Sequence, residues 1–183
     1  MASRKIAVIV GSLRKESFNR KVAKVLMLLA GSKLDMEIVE IGQLPLYDED
    51  IDVTPPPVYT EFRDRIKACD GVLFVTPEYN RSVPGVLKNA VDVGSRPYGH
   101  SAWSGKPAGI MSVSPGAIGG FGANHHLRQM LVFLDMPAMA QPEAYLGGIS
   151  KQFDGDQLTN DSTRGFLQNF IDTYATWVER HAD

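Results

Sequence analysis

Short apolar runs alternate with amphipathic stretches from one end of the chain to the other. Lys5 to Val10 is β-branched and apolar without alternation, the pattern of a strand buried on both faces. After a polar loop, Phe18, Val22, Val25, Leu26 and Leu29 recur at helical spacing, and Gly31 supplies a stop. Met36 to Ile41 reads as a second strand. A long loop follows, holding Asp48-Glu49-Asp50 and Pro55-Pro56-Pro57; a loop of this length in a compact fold shelters a ligand or carries an oligomer contact. Tyr59 to Ala68 reads as a helix with Phe62 and Ile66 on one face, and Gly71 to Thr76 as the most apolar strand. Val83, Val86, Leu87, Ala90 and Val91 stripe the next helix, entered through Pro84. Ala108 to Val113 is the fourth strand, and Leu127, Met130, Leu131 and Leu134 mark the next helix. Met136 to Ala140 is expected as a short fifth strand. Phe166, Leu167, Phe170, Ile171, Tyr174 and Val178 stripe the last helix.

Strict alternation of strands and helices implies a parallel sheet covered on both faces. The expected fold is a doubly wound α/β sheet of five parallel strands. Repeats and linkers are absent from the pattern, so residues 1–183 read as one domain. In such sheets ligands bind beyond the carboxyl ends of the strands, where strand order reverses. The loops after strands one, three and four are therefore the candidate site.

Composition narrows the classes. The 19 basic and 21 acidic residues leave a net charge of -2, without the basic excess a dedicated nucleic-acid binder needs. No apolar run approaches a membrane span, and Ile6 to Val10 is too short for a signal-peptide core. The single cysteine, Cys69, fits a reducing compartment, and the expectation is a cytoplasmic protein.

The first loop, Gly11 to Asn19, runs from a strand into a helix N-terminus, where free backbone N–H groups and the helix dipole attract an anion. Ser12, Ser17 and Asn19 add neutral donors, and Arg14 can fork onto phosphate oxygens. The alternative reading of these residues is a capped helix with an exposed basic loop. The loop has neither the Gly-Lys-Ser/Thr ending of a P-loop nor the dinucleotide G-x-G-x-x-G, so a phosphate monoester fits it better than a triphosphate. The second loop, Thr76 to Gly85, opens an apolar strand into Pro77, Glu78, Tyr79, Asn80 and Ser82. An aromatic wall with edge donors and acceptors suits a flat heteroaromatic ring; a proline-shaped surface turn is the plainer reading. The third loop, Ser112 to Gly122, contains Ser114, Gly116 and a Gly119-Gly120 pair, and lets backbone approach a ligand closely.

These three loops together resemble the NADPH-dependent FMN reductase family, and among its members the bacterial quinone reductases also described as chromate reductases. The resemblance rests on Gly-Ser-Leu-Arg-x-x-Ser-Phe-Asn from Gly11, on Pro-Glu-Tyr-Asn-x-Ser-Val-Pro-Gly-x-Leu-Lys-Asn-Ala-x-Asp from Pro77, and on the glycine turn, in order along nearly the whole chain. It implies a flavodoxin-like fold and non-covalent FMN, with NADPH or NADH as co-substrate and quinones, chromate, azo compounds or free flavin as acceptors. It further implies a homodimer or homotetramer. Carried onto this sequence, Ser12, Arg14, Ser17, Phe18 and Asn19 surround the FMN phosphate. Pro77, Glu78, Tyr79 and Asn80 border the isoalloxazine, with Ser82, Ser114 and Gly116 nearby. The chain departs from the resemblance at Arg81, Val93 and Gly122.

Other residues carry less. His125 and His126 are adjacent on a helix, so their side chains diverge by about 100°, and no Cys or carboxylate stands at ligand spacing; no metal site is expected. Cys69 reads as an inert core thiol. Glu78 can be read as a general acid, but a flavin carries its own hydride, so no catalytic residue is assigned. Trp103 is placed either over the site or in a subunit contact, and Arg128 and Glu143 in a pair across subunits. The competing function is a flavodoxin-like electron carrier or redox sensor. Near-balanced charge and the loop arginine argue against it.

Overall fold

The computed structural model describes residues 3–182. Five strands form one parallel sheet: β1 (Arg4–Val10), β2 (Leu34–Ile38), β3 (Gly71–Thr76), β4 (Ala108–Val113) and β5 (Ala144–Leu146). Their order is β2-β1-β3-β4-β5, the flavodoxin-like arrangement, and it reverses between β1 and β3.

Strands β3 and β4 are buried along their whole length, because helices cover both faces. Helices α1 (Phe18–Ala30) and α5 (Asp161–His181) lie on one face, where Val22, Leu26, Leu167, Phe170 and Tyr174 pack on Ile6, Val8 and Val10. The other face carries α2 (Pro57–Lys67), α3 (Gly85–Gly94) and α4 (Phe121–Phe133), where Phe62, Leu87, Leu127 and Leu131 meet Ala7, Ile9 and Phe74. The loops after β1 and β3 thus leave the sheet side by side and turn to opposite faces, opening a crevice between them.

Two expectations are corrected, the fifth strand and Trp103. The fifth strand is Ala144–Leu146, paired with Met111 to Val113, and not Met136 to Ala140. The earlier segment makes one parallel bridge, Ala138 to Ala108, and then leaves the ladder. Ala138 pairs with Ala108 and Ala144 with Met111, so the five residues Met139 to Glu143 stand against only Gly109 and Ile110, and the chain bulges out of the ladder before rejoining it. The long loop after β2 is fastened to its own helices: Asn89 of α3 donates to the Pro45 carbonyl at 2.8 Å and accepts from the Tyr47 N–H at 2.8 Å, and the Tyr59 hydroxyl donates to Leu46 O at 3.0 Å. Trp103 does not cover a site. It is fully buried, 5.9 Å from the rings of both Phe62 and Phe74, and its indole N–H donates to Val91 O at 3.0 Å.

A small antiparallel hairpin, β6 (Phe153–Asp154) and β7 (Gln157–Leu158), was not legible in the sequence. It precedes α5 and packs against the start of α1. Among the described residues, no helix is long and apolar enough to cross a membrane.

Candidate flavin site

The loop after β1 is anchored by the Gly11 N–H on Val75 O at 2.9 Å, which binds it to the neighbouring strand β3. Ser17 caps α1, its hydroxyl accepting from the Arg20 N–H at 3.3 Å. The N–H groups of Phe18 and Asn19 precede the first possible helical acceptor, and so stay available to an anion. Ser12 and Asn19 are buried, and the Asn19 Oδ1 atom is buried with no hydrogen-bond partner among the described residues. An amide can present either its oxygen or its N–H₂ to a neighbour, so Asn19 fits a site that receives a multidentate acceptor such as phosphate. Arg14 is exposed at the rim. The Phe18 ring turns away to Phe153 of the hairpin, at 6.3 Å between centroids, leaving only its backbone for the anion.

The loop after β3 makes a tight two-residue turn. Tyr79 and Ser82 exchange backbone hydrogen bonds of 2.9 and 3.0 Å, while Asn80 and Arg81 take φ values of 51° and 65°. Both central residues are left-handed, as in a type I′ turn. An arginine there costs on the order of 1–2 kcal/mol, which the flanking contacts must hold. Two of these come from α4. The His126 Nδ1 atom lies 2.9 Å from the Ser82 hydroxyl, and the Glu78 carboxylate accepts from the Ala123 N–H at 3.1 Å. Gly122 makes the approach possible: a Cβ there would stand 2.7 Å from Arg81 O and 3.0 Å from Glu78 Oε2. His125 faces elsewhere, its Nε2 atom 2.9 Å from the Tyr145 hydroxyl.

The loop after β4 closes on itself. The Ser114 hydroxyl accepts from the Gly116 N–H at 3.0 Å, and Gly119 and Gly120 turn the chain into α4 at φ 67° and 80°. Arg128 donates within its own chain, to Asn124 Oδ1 at 3.0 Å and to Met139 O at 2.9 Å.

Between the first two loops lies a cleft of about 400 Å³, lined by Gly11, Leu13, Arg14, Tyr79, Pro84, Gly85 and Val86. Of the candidate residues, Arg14 and Tyr79 line it. Ser12, Ser17 and Asn19 lie in the loop and helix start next to Arg14, and Ser114 and Gly116 lie in the turn after β4, outside the residues that line this cleft. Leu13, Gly85 and Val86 went unassigned because apolar loop residues give no chemical signal until topology places them.

The model of the NADPH-dependent FMN reductase family matches residues 4–151. The chain belongs to that family. The reductase is 66% identical over 175 residues to a quinone reductase of Pseudomonas putida, covering 95% of this chain and 94% of the relative. It is 49% identical over 175 residues to a 2-hydroxy-1,4-benzoquinone reductase of a Burkholderia species, covering 95% of this chain and 96% of the relative. Its structure is similar to that of FerB, a flavoenzyme NAD(P)H:acceptor oxidoreductase from Paracoccus denitrificans, with a TM-score of 0.93 and 42% identity over 98% of this chain and 100% of that one. The reductase is therefore an FMN-dependent NAD(P)H oxidoreductase.

Proposed function

We propose that this reductase passes hydride from NAD(P)H to quinones, using FMN seated in the crevice between the loops after β1 and β3. The observation that carries this reading is the cleft between Arg14 and Tyr79, which joins an anion-ready helix start to an aromatic-edged turn at the reversal of strand order. The chemistry FMN supplies when bound is a two-electron relay between nicotinamide and acceptor. The chain's own residues bind and orient. Arg14, Ser12, Ser17, Asn19 and the first N–H groups of α1 hold the phosphate, and the Tyr79 turn with Pro77 and Asn80 borders the ring.

We further propose that a second copy of the chain walls the open side of the crevice, because water exclusion suppresses loss of reducing equivalents to solvent and oxygen. Exposed apolar side chains support this: Leu46 and Val53 on the long loop, Tyr98 in the loop after α3, and Val132 and Phe133 in the last turn of α4. The electron-carrier reading loses support, since the relatives above are named as reductases of quinones.

The test is steady-state oxidation of NADH and of NADPH against quinones, free FMN, azo dyes and chromate, with the bound flavin identified after denaturation. Quinones should be the fastest acceptors and FMN the released flavin. Stoichiometric FAD, or a quinone rate no higher than that of any other acceptor, would overturn it.

A further inference from the structure

The family match ends at residue 151, and the first element beyond it, the β6–β7 hairpin, folds back onto the loop assigned to phosphate. The contact runs through Lys21 on α1. Its Nζ donates to Gly155 O at 2.7 Å and stands 3.0 Å from Asp156 Oδ1 and 3.5 Å from Glu16 Oε2. The ammonium also lies 5.8 Å from the centroid of the Phe18 ring, which itself packs on Phe153. One lysine thus ties the loop after β1, through Glu16, to the hairpin turn, through Gly155 and Asp156. Its side chain is only 14% exposed, while those of Glu16 and Asp156 are 70% and 78% exposed.

We propose that Lys21 is a positioning residue of the phosphate site, holding Glu16 away from the α1 N-terminus and offsetting part of the charge of the two carboxylates beside it. The inference rests on the reading that the FMN phosphate occupies that N-terminus. Glu16 directly precedes the cap Ser17. A carboxylate released there has the same attraction to the helix start as a phosphate, and competes for the N–H groups of Phe18 and Asn19. It also repels a dianion nearby. With Lys21 in place, Glu16 is drawn to the hairpin side and the donors stay available. Hydrogen bonding to Asp156 raises the Lys21 ammonium above its usual range, so the bridge stays charged at neutral pH. Glu16 and Asp156 are exposed, so their ion pairs with Lys21 add little to folding, and the effect of the charge falls on anion binding.

The experiment is titration of the apoprotein with FMN and with riboflavin, read by flavin fluorescence, in the wild type and in Lys21→Met, Lys21→Arg, Lys21→Met with Glu16→Gln, and Ser17→Ala. Lys21→Met should weaken FMN about tenfold while riboflavin changes little, the scale of one charge contact near a surface. Lys21→Arg should keep most of the affinity, and adding Glu16→Gln should restore most of what Lys21→Met loses, while any fall in urea midpoint from the lost Gly155 hydrogen bond is the same in both Lys21→Met variants. Equal losses for FMN and riboflavin, no loss, or no recovery with Glu16→Gln would overturn the role of Lys21. If Ser17→Ala also failed to separate FMN from riboflavin, the phosphate placement itself would fall, and the proposal with it.

Discussion

The Glu78 carboxylate accepts a hydrogen bond from the Ala123 N–H at 3.1 Å, across 45 residues of sequence. Glu78 leaves β3, and Ala123 sits in the first turn of α4, whose own cap position is Gly120 and offers no side chain. The carboxylate thus supplies from another loop the acceptor and the negative charge that a helix start favours. It also draws the Tyr79 turn against α4, and Gly122 leaves room for that approach. A residue that reads in the sequence as a border of the flavin ring, or as an acid, has a definite structural task.

Removing that cap should cost stability before it costs chemistry. Glu78→Ala is expected to lose about 1 kcal/mol, the usual worth of a helix cap, and Glu78→Gln about half as much because it keeps an acceptor. Urea unfolding of the apoprotein measures this. A turn displaced with the carboxylate should also weaken both FMN and riboflavin, since the ring is affected and the phosphate is not.

Arg14 should behave in the opposite way. Arg14 lines the cleft, next to the start of α1. Arg14→Ala is expected to weaken FMN by about 2–3 kcal/mol, the worth of a charge-assisted hydrogen bond, and riboflavin far less. Equal losses in calorimetric titration would place the guanidinium elsewhere.

Trp103 should matter to folding and not to turnover. Its indole is packed between Phe62 and Phe74, with its N–H satisfied by Val91 O. Trp103→Ala is expected to cost about 3–5 kcal/mol in a denaturant titration. Trp103→Phe, which keeps a ring in the core, should leave the KM for quinone as it was; a residue lying over the site would shift it.

Alkaline unfolding should carry a contribution from Tyr145. Burial, and then hydrogen bonding to Glu143, push its phenol up to about 12. An unfolded tyrosine ionises near about 10. The folded state therefore keeps a proton that the unfolded chain sheds, and the resulting stability is complete below about pH 10 and lost as pH rises toward about 12. Tyr145→Phe should flatten that part of the decline, seen as a smaller fall in urea midpoint between those two pH values.

If nicotinamide and quinone share the open face of the crevice, initial rates at several fixed quinone concentrations should give parallel double-reciprocal plots. Intersecting lines, or full activity in a stable monomer, would count against a shared slot walled by a second copy.

What the sequence determined by itself is the layered sheet and, through it, the loops that form the candidate site. A strand buried on both faces must be apolar without interruption, and a helix against a sheet must repeat its apolar positions at 3.6 residues, so Lys5 to Val10, Gly71 to Thr76 and the stripes of Phe18 to Leu29 and Phe166 to Val178 declare themselves locally. Arg14, Ser17 and Asn19 are likewise legible, because they follow a strand and open a helix. Only the tertiary structure decided the rest, since it depends on pairings between distant segments. Ala144–Leu146 is three residues long, too short for any period, and it became a strand because the chain bulges out after Ala138 and rejoins β4 only at Ala144. The Glu78 cap, the burial of Trp103 and the Lys21 bridge each join residues many positions apart. Their chemistry is visible in the sequence, but their partners are set by how the sheet brings the loops together.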